Sequence, residues 1–307
     1  MRSLSGAAAL CAILAVLLTA CVQSPPETNS SATPVDQVAA KRLTATTTVE
    51  GTRRQFLIRV PAHRSGEKLP VIVALHPALG NAARFETTSG FTRLTATDHF
   101  IAVYPNGTAL SGARPNAREW NAGTCCGIPQ ISRINDMEFL GAIFDNLAAR
   151  VDVHAQRIFL AGFSNGGMLA YRAACELGSR IAGIAVVAGA LNVKFCPSTN
   201  AMPVMIIHGT ADEVVPFRGG TPVHSRPLGL KPWVNESVAE ALSAWKKRDG
   251  CASAPIRSSV GQVREELYLN CASDTFINLR IIVGGSHHWP TGAAALIAEQ
   301  LLGKGGR

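Results

Sequence analysis

The sequence predicts an α/β fold, with a mostly parallel central sheet flanked by helices on both faces. Short, wholly apolar runs, which are typical of buried parallel strands, alternate with segments whose apolar residues recur at helical spacing. About 260 residues from Ala45 onward contain no second linker and no internal repeat, which suits one large domain. In such a sheet, ligands bind beyond the carboxyl ends of the strands.

The first predicted element of this domain is an antiparallel hairpin, residues 46–50 and 55–60 around Gly51. Helical spacing predicts two of the covering helices. Apolar residues at 137, 140, 144, 147 and 151 lie on one face of the first, and those at 238, 242 and 245 on one face of the second. The six predicted buried parallel strands are residues 71–75, 101–104, 158–161, 184–188, 204–207 and 279–283.

Residues 1–20 predict an export signal, because Arg2 precedes an apolar stretch that is too short to span a membrane. Its end, Leu18-Thr19-Ala20-Cys21, resembles the lipobox of bacterial lipoproteins, in which Cys21 would carry the lipid. Ordinary cleavage that leaves an unpaired Cys21 is the alternative. Residues 21–44 are expected to be a flexible Pro/Ser/Thr-rich tether, and residues 45–307 the folded domain. The expected location is therefore outside the cytoplasm, anchored to the cell membrane.

The charge of the chain is modestly positive. The formal net charge of the full sequence is +8, and Arg2 is the one charged residue in the predicted signal. Lys and Arg are scattered, and their one dense run, Lys246-Lys247-Arg248, is interpreted as a solvated helix face. We therefore expect no nucleic acid as a partner.

The segment around Ser164 predicts a nucleophile. Gly162-Phe163-Ser164-Asn165-Gly166 has the pattern Gly-x-Ser-x-Gly, preceded by a short apolar strand and followed by a helical pattern. A serine at such a sharp turn exposes its hydroxyl, and the Asn165 N–H at the helix start faces a developing oxyanion. A glycine-rich turn without chemistry is the alternative.

Candidate partners of Ser164 follow two later strands. Asp212 comes after residues 204–207, and His287 comes after residues 279–283. The chain order Ser, Asp, His is that of the α/β-hydrolases, so the predicted fold class becomes an α/β-hydrolase fold. This fold places a second oxyanion donor after the first buried strand; Pro77 has no N–H, so Ala78 is the candidate there. His76 is interpreted as a structural hydrogen-bonding residue.

Six cysteines follow Cys21, and an exported chain favours disulfides among them. The expected pairs are Cys175 with Cys196 and Cys251 with Cys271, although six cysteines allow 15 pairings. Cys125 and Cys126 either bond each other or find different partners. A zinc site has little support, since no second Cys-x-x-Cys accompanies them.

The motifs together resemble the polyhydroxybutyrate depolymerase and feruloyl esterase-like family of secreted α/β-hydrolases. The resemblance implies Ser164 as nucleophile, Asp212 as the acid and His287, rather than His288, as the base. Pro77 and Ser286 stand where the family usually has Gly, and Asn135 where it usually has Asp. The motifs that carry the resemblance are LHPALGN, YPNG, WNAGTCCG, GFSNGGM, HGTADEVVPFRGG and GGSHHWP.

The predicted function is hydrolysis of carboxylic esters, with short-acyl, hydroxyalkanoate or feruloyl and acetyl esters as candidate substrates. The triad requires no metal and no cofactor. Trp120 and Trp289 either line a substrate pocket or pack in the core. Residues 221–235, with Trp233, form a Pro-rich insert that either covers the site or is a surface loop. The alternatives are a cell-envelope acyltransferase of the same fold and a noncatalytic binding lipoprotein.

Overall fold

Ten strands form one mixed sheet in this computed structural model, which describes residues 36–223 and 233–303. Their order across the sheet is β12-β13-β14-β11-β10-β9-β5-β6-β3-β2. The strands in chain order are β1 (Gln37–Val38), β2 (Lys41–Val49), β3 (Thr52–Val60), β4 (His63–Arg64), β5 (Leu69–Leu75), β6 (Ile101–Pro105), β7 (Thr108–Ala109), β8 (Arg118–Glu119), β9 (Val153–Phe163), β10 (Gly183–Val187), β11 (Val204–Gly209), β12 (Ile256–Val260), β13 (Val263–Tyr268) and β14 (Ile277–Ile282).

The middle of the sheet is parallel. Strands β6, β5, β9, β10, β11 and β14 run in the same direction, and they are the six that the sequence predicts as parallel. Two antiparallel strands extend the sheet on each side, β3 and β2 beyond β6, and β13 and β12 beyond β14. The carboxyl ends of the six central strands therefore lie along one edge.

Helices cover both faces of this sheet. Side chains alternate between the faces along each strand, so Val71 and Val73 of β5 join one core cluster and Ile72 joins the other. Residues of α4, α5 and α6 pack in the first cluster, and residues of α1, α2 and α7 pack in the second. The helices are α1 (Ala82–Thr88), α2 (Phe91–Asp98), α3 (Gly127–Ile131), α4 (Asp136–Ala148), α5 (Asn165–Glu176), α6 (Val238–Arg248) and α7 (Ala293–Leu302).

Side chains cap the N-termini of two helices, α4 and α6. The Asn135 side chain accepts a hydrogen bond from the Glu138 N–H and caps α4, so Asn at this position serves the helix without a charge. Ser237 and Glu240 form a reciprocal capping box at the start of α6. No helix among residues 36–223 and 233–303 is long and apolar enough to cross a membrane.

The folded region begins earlier than the predicted boundary at residue 45. Strand β2 starts at Lys41, and β1 pairs with β4 before it. The many polar residues of this segment lack the apolar pattern by which a strand is predicted from sequence. In the structure, Arg42 and Arg59 both form ion pairs with the buried Glu86 of α1, which ties the outer hairpin to the helix layer. Residues 1–35, including the predicted signal and Cys21, lie outside the described residues.

Candidate active site

Ser164 lies at a sharp turn between β9 and α5. Its φ of 54° and ψ of −121° belong to a strained region for a residue with a side chain. A Cβ at Gly162 would collide with the Gly166 carbonyl, and a Cβ at Gly166 would collide with the Leu75 carbonyl. Glycine is therefore required on both sides of the serine, because the helix start approaches β9 and β5 too closely for any side chain.

The structure brings Ser164, His287 and Asp212 together at the carboxyl edge of the sheet. The distance from His287 Nε2 to Ser164 Oγ is 3.0 Å, and that from His287 Nδ1 to Asp212 Oδ2 is 2.8 Å. The three residues follow β9, β14 and β11, so the sheet topology sets their spacing. His288 points elsewhere: it is exposed, and its Nδ1 lies 3.0 Å from the carbonyl oxygen of Ser286.

Asp212 is held as a carboxylate. Its Oδ1 accepts hydrogen bonds from the backbone N–H groups of Val214 and Val215, at 2.9 and 2.8 Å. Burial alone would raise the pKa of Asp212, but hydrogen bonds from His208, His287 and the Val215 N–H outweigh it and hold this pKa well below its usual range. A negative charge therefore persists beside His287 at neutral pH.

His208 is a member of this cluster that sequence reasoning missed. Its Nε2 lies 2.8 Å from the Val215 carbonyl and 3.3 Å from Asp212 Oδ2. The signal was present in the sequence, because His208 directly follows the predicted strand 204–207 and precedes Asp212 by four residues. His208 therefore contacts the same carboxylate oxygen of Asp212 that His287 contacts.

The loop after β5 carries the second predicted oxyanion donor. Leu79 N–H donates to the Arg118 carbonyl, and Gly80 N–H donates to the Pro77 carbonyl, at 2.8 and 3.0 Å. Within residues 36–223 and 233–303, no acceptor pairs with the Ala78 N–H, which leaves it available to a ligand. Pro77 contributes its carbonyl to the turn, so the loop keeps its hydrogen bonds although a proline N–H is missing.

His76 is a buried structural residue, as its sequence context predicts. Its Nε2 accepts from the Gly107 N–H at 3.0 Å, which requires Nδ1–H to donate to the Pro77 carbonyl at 2.8 Å. Burial lowers the pKa of His76 to about 4, so the ring is neutral at physiological pH. These two hydrogen bonds hold the loop after β5 against the loop that follows β6.

Trp120 does not line a substrate pocket. The side chain is fully buried, and its Nε1 donates to the His76 carbonyl at 2.9 Å. Its backbone N–H and carbonyl pair with the side-chain amide of Asn165, at 2.8 and 3.1 Å. Packing is thus the observed role of Trp120, because the ring is enclosed between the loop after β5 and the start of α5.

Trp289, in contrast, borders a cavity of about 420 Å³. The cavity also contacts Phe163, whose ring stacks on His287 with 5.0 Å between ring centroids. Trp289 is fixed there by a 3.0 Å hydrogen bond from its Nε1 to the Ser89 carbonyl. The complete lining is His76, Pro77, Ala78, Leu79, Gly80, Asn81, Arg84, Phe85, Thr88, Phe163 and Trp289.

The insert after Asp212 is described in part. Residues 224–232, the middle of the insert that was predicted either to cover the site or to be a surface loop, lie outside the described residues. At its end, Trp233 is partly buried against the core, and its Nε1 donates to Asn235 Oδ1 at 3.1 Å. Packing is the observed role of Trp233.

Three disulfides lie within the described residues 36–223 and 233–303. Cys175 bonds Cys196, and Cys251 bonds Cys271. The neighbouring Cys125 and Cys126, whose pairing the sequence leaves open, bond each other. Disulfides are characteristic of proteins that fold in an oxidising compartment outside the cytoplasm.

We predict that replacing both Cys251 and Cys271 by serine costs about 2 to 4 kcal/mol of stability, because the bridge restricts the unfolded chain. The bridge also closes the segment 251–271, which directly precedes β14, and His287 follows β14. Thermal melting should show a midpoint several degrees lower, and ester hydrolysis below that midpoint should decrease as His287 is placed less well.

The matched control for this prediction is the double serine variant of Cys175 and Cys196, whose sequence separation of 21 is close to the 20 of the other pair. It should lose similar stability with a smaller effect on hydrolysis below the melting midpoint. Recovery of Cys251 and Cys271 as free thiols in nonreducing peptide maps would contradict the pairing.

Comparison with known proteins shows similarity to esterases. Residues 105–228 match the family model described as Phospholipase/Carboxylesterase. Feruloyl esterase B of Piromyces equi is 28% identical over 241 residues, which cover 76% of this chain and 42% of that protein. The putative esterase NocK of Nocardia uniformis subsp. tsuyamanensis is 29% identical over 247 residues, which cover 74% of this chain and 67% of that protein.

The chain has an α/β-hydrolase fold, and its sequence is similar to that of feruloyl esterases. Solved structures agree on the fold of this α/β-hydrolase. The acetyl xylan esterase from Aspergillus awamori has a TM-score of 0.60 at 15% identity, with 84% of this chain and 98% of that chain covered. The ferulic acid esterase from Anaeromyces mucronatus has a TM-score of 0.52 at 15% identity, with 91% and 95% covered.

The predicted α/β-hydrolase fold is thereby confirmed, and the relatives that the chain resembles are esterases. This α/β-hydrolase spans 42% of the length of Feruloyl esterase B. Its own reaction, substrate and catalytic residues are therefore proposals.

Proposed function

We propose that this α/β-hydrolase hydrolyses carboxylic esters through an acyl-enzyme formed on Ser164. The proposal depends on one observation, the chain of hydrogen bonds from Ser164 Oγ through His287 to Asp212 at the carboxyl edge of the sheet. A serine hydroxyl becomes a useful nucleophile when an adjacent base removes its proton. His287 lies at hydrogen-bond distance on one side, and Asp212 orients it from the other.

In the first half of the reaction, Ser164 Oγ attacks the ester carbonyl while His287 Nε2 takes its proton. Asp212 accepts a hydrogen bond from Nδ1–H and stabilises the imidazolium that forms. His287 then protonates the leaving alcohol, and the acyl group stays on Ser164. In the second half, His287 activates a water that attacks the acyl carbonyl and releases the acid.

The oxyanion of each tetrahedral intermediate needs donors that are aimed before the reaction begins. Ala78 N–H and Asn165 N–H are proposed for this role. The first lacks a partner among the described residues, and the second opens α5, where the helix dipole favours negative charge. Fixed donors in a partly buried site stabilise this charge more than water does, because they need no reorganisation.

Labelling by a fluorophosphonate and hydrolysis of a panel of esters test this function. The panel comprises 4-nitrophenyl esters of short acids, methyl ferulate, acetylated xylan oligomers and hydroxybutyrate oligomers. Labelling of Ser164 with turnover of at least one class supports the proposal. A folded protein that neither labels nor turns over any ester would be a binding lipoprotein, and the proposal would fail.

An acyltransferase of the same fold would use the same residues, with a sugar hydroxyl in place of water. Product analysis with and without trehalose or a xylan oligomer as acceptor separates the two reactions. Release of free acid at an unchanged rate in both cases identifies the hydrolase.

We propose further that the protein is exported and held at the membrane by a lipid on Cys21. The lipobox-like sequence before Cys21 and the three disulfides support this location. We predict that the wild-type protein partitions into detergent, because each buried CH₂ of an acyl chain contributes about 0.8 kcal/mol. Cys21→Ala should yield precursor or a form that stays in the aqueous phase, whereas equal partitioning of both proteins would contradict lipidation.

A further inference from the structure

The cavity beside His287 combines an aromatic wall with one cation. Phe85, Phe163 and Trp289 pack edge to face around it, with centroid distances of 5.3 Å from Phe85 to Trp289 and 6.1 Å from Phe163 to Trp289. Arg84 lines the same cavity and is exposed to solvent. The cavity therefore offers both apolar surface and a positive charge, and it adjoins the candidate site through Ala78 and through Phe163, which stacks on His287.

Arg84 is available for a ligand. Within residues 36–223 and 233–303, its guanidinium makes no hydrogen bond or ion pair, whereas the nearby acid Glu86 is already bound by Arg42 and Arg59. Burial keeps His76, the other titratable group of the cavity, neutral at physiological pH. A carboxylate that entered the cavity would meet one positive charge and no negative one.

The other polar side chains of the cavity are occupied. Asn81 accepts from the Arg84 N–H and donates to the Asn116 carbonyl, at 2.9 and 3.0 Å. Thr88 Oγ1 donates to the Arg84 carbonyl at 2.9 Å. The guanidinium of Arg84 thus has hydrogen-bond donors that are free to bind a ligand in this cavity. Guanidinium groups bind carboxylates with two parallel hydrogen bonds.

We propose that this cavity receives a carboxylate-bearing arm of the ester substrate and that Arg84 binds the carboxylate. The inference rests on the proposed esterase function and narrows its substrate class to anionic esters. The aromatic wall covers the apolar part of the arm, and Arg84 selects its charged end. Arg84 is a specificity residue in this arrangement, because Ser164, His287 and Asp212 carry out the reaction.

Two pairs of esters test both arms of the substrate. For the acyl arm, 4-nitrophenyl hydrogen adipate is compared with 4-nitrophenyl hexanoate. For the alcohol arm, 4-carboxyphenyl acetate is compared with phenyl acetate. The quantity measured is the ratio of kcat/KM for the charged ester to that for the uncharged ester.

In at least one pair, Arg84→Gln is expected to lower this ratio by roughly three- to tenfold, the range for partly exposed charged hydrogen bonds. Arg84→Glu should lower it further, and Arg84→Lys should retain more of it than Arg84→Gln. The wild-type ratio should fall with added salt, which screens an exposed charge. Arg53→Gln removes an exposed arginine of β3 that does not line the cavity, and it should leave the ratio unchanged.

The possible failures are distinguishable. Wild-type protein that hydrolyses neither these four esters nor any ester of the panel above, and that takes no fluorophosphonate label, would overturn the esterase function itself. Hydrolysis of the uncharged esters, with ratios in both pairs that respond to neither Arg84→Gln nor Arg84→Glu, would overturn the anionic-arm inference and leave the esterase function in place. Circular dichroism and melting of each variant exclude misfolding as the cause of a change.

Discussion

Ser164→Ala is expected to lower kcat for ester hydrolysis by roughly 10⁴- to 10⁶-fold, and His287→Ala by a similar factor. The two side chains act as one unit, since a serine without its base keeps its proton and a base without its nucleophile has nothing to activate. Their 3.0 Å contact is the basis of this expectation. Steady-state kinetics on a chromogenic ester, with the same variants tested for fluorophosphonate labelling, measure both effects.

His288→Ala is the control for this prediction, because the neighbouring ring is exposed and contacts the Ser286 carbonyl. Its replacement should change kcat several orders of magnitude less than replacement of His287. If His288→Ala abolished hydrolysis while His287→Ala kept it, the proposed base would be wrong.

Asp212→Asn is expected to lower kcat by about 10⁴-fold while the protein stays folded. The amide is nearly the same size, but it lacks the charge that stabilises the imidazolium, and its NH₂ group favours the wrong tautomer of His287. The low pKa of Asp212, caused by hydrogen bonds from His208, His287 and the Val215 N–H that outweigh its burial, shows how strongly the site favours a carboxylate.

The control for Asp212→Asn is Glu213→Gln, which removes a negative charge from the adjacent, exposed position. It should affect kcat little. Comparable losses in the two variants would indicate that Asp212 acts through the general negative potential of the loop and does not orient His287.

The three candidate triad residues were predictable because each has a local signature. Gly162 and Gly166 mark the turn around Ser164, and Asp212 and His287 each follow a short apolar run that can only be a buried strand in a parallel sheet. Since parallel strands end at one edge, three separate local patterns predict a single site. The contacts at 3.0 and 2.8 Å agree with that expectation.

The surroundings of the site were less predictable, because they depend on partners that are remote in the sequence. Trp120 is enclosed by Asn165, 45 residues away, and by His76, 44 residues away. Nothing in the residues next to Trp120 separates such a buried ring from one in a pocket. Single-sequence patterns report the side on which a residue faces, but they do not report what packs against it.

Charged residues account for two further differences. The start of β2 was not predicted, because Lys41 and Arg42 do not continue an alternation of polar and apolar residues. Arg248, which the sequence places on a solvated face, lies over the Trp245 ring at 3.5 Å and pairs with the buried Asp249. The aliphatic part of a long basic side chain packs on apolar surface, and its charged group stacks on aromatic rings. A run of basic residues is therefore not always exposed to solvent.

The candidate site residues follow strands that lie at different distances from the edge of the sheet. Ser164 follows β9, which has four sheet strands on one side and five on the other, whereas His287 follows β14, which is third from an edge. Strands near an edge open locally more often than central ones, and amide hydrogen exchange reports such opening. A transient separation of β14 from β11 would move His287 away from Ser164 while leaving Ser164 in place. We therefore expect the proposed hydrolysis to be lost on mild warming before the central sheet unfolds.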